Sequence, residues 1–322
     1  MTLGRIWFRG KCQGLSSYKV ENFLSIGSAI IAGQLSKVVG MFSLSSVFED
    51  LPVVQVVDIG ASPFDGEPIF DALRAAGGAE VLGFEPSPDQ YEKLLAMQTE
   101  RATFLPYAIG DGTEGELKIC RAPGMTSMLE PDLEVLSHFH QLKEAAEILE
   151  RQSIATHRLD DIAEAVGMDF LKVDVQGGEQ AVFEGAKERL ADACFIHTEV
   201  QFVPFYKGQA LFAELDQILR EAGFWFHRLD ATQSRVFKPL MVNNDVFGGL
   251  SQQLWSDAVY VKRFVDFPKL ETEQLLKIAL LAHDIYASYD LAMLALQAID
   301  RREGTSRHTL YLERLTPGAS TV

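Results

Sequence analysis

The segment 170–179, FLKVDVQGGE, constrains the fold of this chain more than any other. Its first half is largely apolar and suits a strand in the interior of a sheet. Gly177 and Gly178 then permit an abrupt turn, and apolar residues at helical spacing follow over 182–190. Open α/β sheets built from such units bind ligands in the crevice at the carboxyl ends of their strands. Asp174, which ends this strand, is therefore a candidate catalytic residue.

A second unit of the same kind lies upstream. An apolar strand over 53–57 ends in Asp58 and Gly60, and the spacing predicts a helix over 67–76. A further strand over 81–84 follows. This β-α-β-α order predicts a parallel, doubly wound sheet. The simpler alternative for Asp174, a polar strand end that only caps the next helix, stays open.

The acid that ends the strand over 81–84 suggests a ligand. In such folds a carboxylate at this place accepts hydrogen bonds from ribose hydroxyls, and Glu85 lies 27 positions after Asp58. Gly60 would let the backbone approach that ligand closely. No G-x-G-x-x-G follows, and Pro63 removes an amide that a pyrophosphate would need. An adenosine without a pyrophosphate fits better, which favours S-adenosylmethionine over NAD.

Five segments in this order resemble the FkbM-type family of S-adenosylmethionine-dependent methyltransferases, over about residues 53–264. The resemblance implies a class I methyltransferase (Rossmann-like) fold with a doubly wound, mostly parallel seven-stranded sheet. It also implies bound S-adenosyl-L-methionine and O-methylation of a sugar, glycan or natural-product hydroxyl. The segments are VVDIGA (56–61), GFEP (83–86), YAIGD (107–111), LDD (159–161) and FLKVDVQGGE (170–179).

The resemblance also implies where the cofactor binds. The first loop, 62–68, is longer than expected for the family, so Asp65 or Glu67 would supply contacts to the methionine moiety. The expected cofactor-binding residues are Asp58, Gly60, Ala61, Glu85, Pro86, Ala108 and Asp111.

A strand predicted over 195–200 adds further candidates for the base that accepts the proton of the hydroxyl. Strand alternation places His197 and Glu199 on one face, near Asp174. Asp174, Glu199 and His197 are the three candidate catalytic residues. For Glu199, a hydrogen bond to the loop over 201–208 is the structural alternative. A divalent metal bound by two of these acids would need a third and a fourth protein ligand, and the sequence shows none clearly, so we predict no metal site.

The remaining sequence divides into three regions. We expect an N-terminal helical extension over 1–50, a cofactor-binding methyltransferase domain over 51–265 and a C-terminal helical hairpin and tail over 266–322. The hairpin should pack on the domain or on a second chain, giving a homodimer through the terminal helices, and the chain from Gly304 onward should be frayed.

The methyltransferase domain should contain a lid insertion over 121–158, with a helix over 132–151. The insertion carries Ser127, His138 and His140. For the two histidines, a solvated helix face is the favoured explanation.

Composition limits the function classes. A formal net charge of −16 and a pI near 4.9 disfavour a nucleic-acid partner. The three cysteines are widely spaced and indicate reduced thiols in a cytoplasmic protein. The apolar run over 23–33 is broken by Lys37 before it could span a bilayer. Two other classes stay open: a non-catalytic interaction protein with this fold, and an NAD-dependent Rossmann enzyme.

Overall fold

The computed structural model describes residues 42–62 and 66–316. Within them a seven-stranded sheet runs in the order β3-β2-β1-β7-β8-β10-β9, and β4-β6-β5 form a smaller sheet. The strands are β1 (Val54–Ile59), β2 (Ala79–Phe84), β3 (Ala102–Leu105), β4 (Ala108–Ile109), β5 (Glu114–Cys120), β6 (Ile148–His157), β7 (Phe170–Val173), β8 (Phe195–Gln201), β9 (Phe224–Arg235) and β10 (Gln252–Lys262).

The large sheet confirms the predicted fold class. The five adjacent strands β3, β2, β1, β7 and β8 pair in parallel, whereas β10 runs antiparallel to β8 and to β9. The chain winds outward from β1 to β3 and then restarts at β7 on the other side of β1. The carboxyl ends of β1 and β7 therefore flank the topological switch point, where open α/β sheets bind ligands.

Helices cover both faces of this sheet. The described α-helices are α1 (Asp71–Ala75), α2 (Pro88–Leu95), α3 (Leu133–Leu136), α4 (Leu142–Ala145), α5 (Glu179–Glu184), α6 (Arg189–Asp192), α7 (Phe212–Glu221), α8 (Thr272–Leu280), α9 (Tyr289–Glu303) and α10 (Arg307–Leu315). A π-helical turn over Leu281–Ile285 continues α8.

Each face has its own buried apolar cluster. On one face, α5 and α7 pack against alternate residues of the strands, such as Leu171 and Ile196. On the other face, α8 to α10 pack against the intervening residues, such as Phe170 and Phe195. The C-terminal helices thus pack on the sheet of their own chain, which was one of the two arrangements expected.

Two predictions about secondary structure are wrong. The helix over 132–151 is replaced by the single turns α3 and α4 and by the start of β6. Gln141 adopts a left-handed backbone with φ 62°, which interrupts the helix. Residues from Ile148 onward pair with β5 instead. Residues 307–315, which were expected to be frayed, form α10 and bury Tyr311 and Leu315 against the helices before it.

None of the helices in the two described ranges has the length and apolar character needed to cross a bilayer. The N-terminal extension lies mostly outside the described residues, as do Cys12 and the 63–65 part of the first loop.

Candidate active site

The ends of β1 and β7 lie in direct contact at the switch point. The Asp174 amide donates a hydrogen bond to the Ile59 carbonyl over 2.9 Å. Gly60 has φ +80°, and a Cβ on it would lie 1.9 Å from the Asp174 carbonyl oxygen. The glycine is therefore required by this backbone contact within the chain itself.

A row of polar side chains crosses three neighbouring strands on the face covered by the C-terminal helices. Asp58, Lys172 and His197 occupy paired positions on β1, β7 and β8. Lys172 Nζ lies 2.9 Å from Asp58 Oδ1, and both side chains are largely buried. Lys172 was not among the predicted site residues. Its signal in the sequence is a charged side chain between the apolar residues of a short buried strand.

These side chains open onto one crevice. A cavity of about 150 Å³ is lined by Asp58, Lys172, Asp174, His197 and Asp257, together with the chain after Gly66. Asp257 lies on β10, directly opposite Glu199 of β8. The structure therefore brings together two predicted catalytic residues, one predicted cofactor residue and two residues that sequence reasoning missed.

Asp174 does not cap the following helix. Its carboxylate accepts a hydrogen bond from the Gln176 side-chain amide over 2.7 Å. α5 begins after Gly178 without a side-chain cap. Burial raises the pKa of Asp174 above its ordinary value, Lys172 opposes that rise, and Asp257 and Asp58 add to it. A raised pKa makes an aspartate a stronger base than an ordinary one, which suits a group that accepts a proton.

Glu179 closes the turn after Asp174. Its Oε1 accepts from the backbone amides of Val175 and Gly177, each over 3.2 Å. Its other oxygen, Oε2, is buried and finds no hydrogen-bond partner among the described residues. Burial raises the pKa of Glu179 to about 7. Glu179, although acidic and near the site, thus holds the backbone of the turn.

His197 contacts residues that sequence reasoning did not place near it. Its Nδ1 lies 3.2 Å from the Tyr286 hydroxyl, which belongs to the C-terminal helical region. Its Nε2 lies 3.6 Å from Asp257 Oδ2. Both ring nitrogens therefore face polar groups of the chain.

Glu199 belongs to a side-chain network next to the crevice. It accepts a hydrogen bond from the Gln201 amide, and Gln209 donates to Gln201 over 2.7 Å. Gln209 in turn accepts from the backbone amides of Phe205 and Tyr206. This network holds the chain after β8, which agrees with the structural alternative for Glu199.

The predicted cofactor residues at the first two strand ends lie close together. The amides of Gly60 and Ala61 both donate to the Phe84 carbonyl over 3.0 Å. Glu85 is buried, and its Oε1 accepts from the Ser87 amide over 2.7 Å, which fixes the carboxylate beside the start of α2. Pro86 follows, half-buried.

The last two predicted cofactor residues, Ala108 and Asp111, lie in and after β4 of the smaller sheet. Tyr107 stacks on Phe84 with ring centroids 6.5 Å apart, which places the start of β4 near the end of β2. Asp111 accepts from the amide and hydroxyl of Thr113, and this bonding lowers its pKa. Its observed contacts are those of a turn.

The predicted lid insertion packs against the turn that carries Asp174. Ser127 is buried and donates a hydrogen bond to the Gln176 carbonyl over 2.6 Å. Neither histidine lies on a helix face: His138 is exposed in the turn after α3, whereas His140 is half-buried and its Nε2 lies 2.8 Å from the Leu240 carbonyl oxygen.

Two further points concern the first loop and metals. Asp65 lies outside the described residues, whereas Glu67 is exposed beside the crevice. In the described ranges, no group of three or more His, Cys, Asp or Glu side chains is arranged to hold a metal ion.

Comparison with known proteins gives one curated relative and several solved structures. The 2-O-methyltransferase NoeI of Sinorhizobium fredii is 27% identical over 173 residues, which covers 48% of this chain and 66% of that relative, slightly less than two thirds. Methyltransferase FkbM from Methylobacillus flagellatus KT is 14% identical at a TM-score of 0.36, covering 65% of this chain and 43% of its own. Magnesium protoporphyrin IX methyltransferase (ChlM) from Synechocystis PCC 6803, with bound SAM, is 11% identical at a TM-score of 0.35, covering 78% and 87%.

A family model gives the assignment. The model of the methyltransferase FkbM domain matches residues 58–226, from the acid at the end of β1 to the start of β9. The match includes Asp58, Glu85, Asp174, His197 and Glu199. Since it spans more than half of the 322 residues, this chain belongs to the FkbM methyltransferase family.

Proposed function

We propose that this protein is an S-adenosylmethionine-dependent O-methyltransferase acting on a hydroxyl of a sugar, glycan or other natural product. One observation carries the proposal: Asp58, Lys172, Asp174, His197 and Asp257 converge on one crevice at the switch point of an FkbM domain. NoeI, named as a 2-O-methyltransferase, supports a hydroxyl as the acceptor.

The residues present suit S-adenosylmethionine chemically. Glu85, fixed at the end of β2, offers a carboxylate for ribose hydroxyls. Lys172 and Asp58 offer one positive and one negative charge, the complements of an amino acid's carboxylate and ammonium groups. The cavity of about 150 Å³ is smaller than a typical ligand site of roughly 300–1,000 Å³, so it accommodates only the part of the cofactor and acceptor that meets these side chains.

When bound, S-adenosylmethionine supplies a methyl group on a sulfonium, which is open to attack by an acceptor oxygen. The protein's own task is to align that oxygen, exclude water and take up the hydroxyl proton. Asp174 is the proposed base, because burial raises its pKa and it faces the crevice. Gln176 holds one of its oxygens in place.

Calorimetry with S-adenosylmethionine and with NAD, on the same purified protein, tests the cofactor. We expect binding of S-adenosylmethionine and none of NAD, because one glycine turn and Glu85 suit an adenosine without a pyrophosphate. Binding of NAD alone would overturn the proposal.

Mass spectrometry of sugars and glycans incubated with the protein and the cofactor tests the reaction, with a gain of one methyl group as the expected product. Cofactor binding without methylation of any hydroxyl acceptor would favour the alternative of a non-catalytic interaction protein.

The cytoplasm remains the proposed location, and Cys120 and Cys194, both buried and free, accord with it.

A further inference from the structure

The C-terminal helical region places one side chain against His197, the last residue of the polar row. Tyr286 follows the π-helical turn, is 2% exposed, and places its hydroxyl 3.2 Å from His197 Nδ1. This region lies outside the span matched by the family model, residues 58–226. A residue of the appended helices therefore touches a residue of the matched domain beside the proposed base.

The position of Tyr286 is fixed from several sides. Its ring stacks on Phe195 with centroids 5.4 Å apart and planes 10° apart. Arg228 of β9 donates to the Tyr286 carbonyl over 2.7 Å and places its guanidinium 5.5 Å from the ring. His227 Nε2 lies 2.8 Å from Ser288 Oγ, which anchors the same turn. The hydroxyl is thus presented to His197 by a rigid support.

The surroundings of His197 determine which nitrogen carries its proton. Asp257 Oδ2, an acceptor when ionised, lies 3.6 Å from Nε2, too far for a hydrogen bond but near enough to favour a proton on that nitrogen. Lys172 occupies the paired position on the neighbouring strand. An imidazole whose single proton lies on Nε2 accepts at Nδ1, and the Tyr286 hydroxyl then donates to it.

We infer that Tyr286 is a positioning residue: by donating to Nδ1 it stabilises the Nε2–H tautomer of His197 that Asp257 favours, so that His197 acts as a hydrogen-bond donor toward the crevice and is not the base. This inference rests on the proposed methyl transfer. Burial raises the pKa of Tyr286 well above its ordinary value, so its hydroxyl keeps the proton that it donates. Asp174 then remains the group that accepts the proton of the acceptor hydroxyl as the new O–C bond forms and the S–C bond breaks.

The same region offers a matched control. Tyr311 of α10 also places its hydroxyl near a buried histidine, 2.8 Å from His283 Nδ1. That pair lies among the C-terminal helices, with His283 next to the Phe42 carbonyl. Neither residue of the pair lines the crevice. Tyr286→Phe and Tyr311→Phe therefore each remove one buried tyrosine–histidine hydrogen bond, but only the first touches the site.

The first experiment needs no activity. In ¹⁵N-histidine NMR spectra of the whole chain, assigned by comparison with His197→Gln, we expect the His197 ring to carry its proton on Nε2 and none on Nδ1. In Tyr286→Phe the Nδ1 resonance should move, and in Tyr311→Phe it should stay. A proton on Nδ1 in the unmodified protein, or an unchanged spectrum in Tyr286→Phe, would overturn the inference.

The second experiment measures kcat and KM for methyl transfer. Loss of one hydrogen bond predicts a roughly two- to tenfold lower kcat for Tyr286→Phe and no change for Tyr311→Phe. His197→Gln keeps a donor near the place of Nε2 but cannot act as a base, so we expect it to retain far more activity than His197→Ala. Equal loss in both His197 variants would contradict the donor role. If the unmodified protein shows no transfer, the proposed function fails, while the NMR result still decides the tautomer.

Discussion

At the residue scale, Asp174 is the proposed base. We expect Asp174→Asn, which keeps the shape and removes the charge, to lower turnover at least roughly a hundredfold, the low end of general-base contributions. Because the pKa of Asp174 is raised, activity of the unmodified protein should fall on acidification at a higher pH than an ordinary aspartate would give. Steady-state methyl transfer measured against pH checks both expectations.

A melting curve of the same variant separates chemistry from folding. Asp161, whose side chain is 74% exposed, gives the matched control Asp161→Asn, which should leave turnover and melting temperature unchanged. If Asp174→Asn melts at a lower temperature but keeps its turnover per folded molecule, Asp174 is structural and the assignment of the base is wrong.

Glu85 carries the proposed contact to ribose. Glu85→Ala should weaken binding of S-adenosylmethionine by roughly 1.5–3 kcal/mol, the range for hydrogen bonds to a charged group. Calorimetric titration measures this change, with Glu92→Ala on the exposed side of α2 as the control. A folded Glu85→Ala protein with unchanged affinity would show that Glu85 does not hold the ribose.

The candidate site could be predicted where local sequence fixes the position of a side chain. Asp58 and Asp174 end apolar strands and precede glycine turns, so their place at the sheet edge follows from the chain nearby. Asp257 and Tyr286 could not be found this way, because only long-range pairing and helix packing bring them to His197. Lys172 had a local signal in an apolar strand, but its partner Asp58 lies 114 positions away.

At the scale of elements, the same distinction explains the outcomes for the fold. The strands of the large sheet have apolar runs and were largely predicted, because burial on both faces demands such runs. The prediction of a helix over 132–151 is wrong because the leucines that suggested a helical face are divided among α3, α4 and β6. Leu149 is 59% exposed on β6, so its apolar character carried no information about a core.

The turn between β7 and α5 gives a prediction about stability. The pKa of Glu179 is raised from 4.5 to about 7, so the folded protein holds this proton more tightly than the unfolded chain. The resulting stability is fully present below pH 4.5 and is lost as the pH rises through about 7, a change on the order of 3 kcal/mol. Glu179→Gln should remove this dependence, since glutamine does not titrate.

Urea unfolding at several pH values from 4.5 to 8 measures the effect. Glu184→Gln, on the exposed side of α5, is the control. Its free energy of unfolding should change with pH as that of the unmodified protein does. If the free energy of unfolding of Glu179→Gln changes with pH as much as that of the unmodified protein, another group causes the pH dependence.

At the scale of the whole molecule, the expected division at residue 265 does not separate two cores. Phe170 and Phe195 of the sheet share one buried cluster with Leu276, Leu296 and Ile299 of the C-terminal helices. The boundary between a methyltransferase domain and a C-terminal hairpin therefore remains a proposal about the chain's organisation. A homodimer through the terminal helices also remains a proposal, although these helices already bury apolar side chains within their own chain.

A shared core predicts that the sheet and the C-terminal helices unfold together. Ile299 of α9 is fully buried in this cluster, so Ile299→Ala should lower the free energy of unfolding by about 2–5 kcal/mol. Leu310 of α10 is 53% exposed, and Leu310→Ala should change it by less than about 0.5 kcal/mol. Calorimetry should show one transition, and Ile299→Ala should shift it to a lower temperature. Methyl transfer and the hydrogen bond between Tyr286 and His197 should both be lost in that same transition. A separate early transition of the C-terminal helices, with activity surviving it, would show that they fold independently and that the crevice does not need Tyr286.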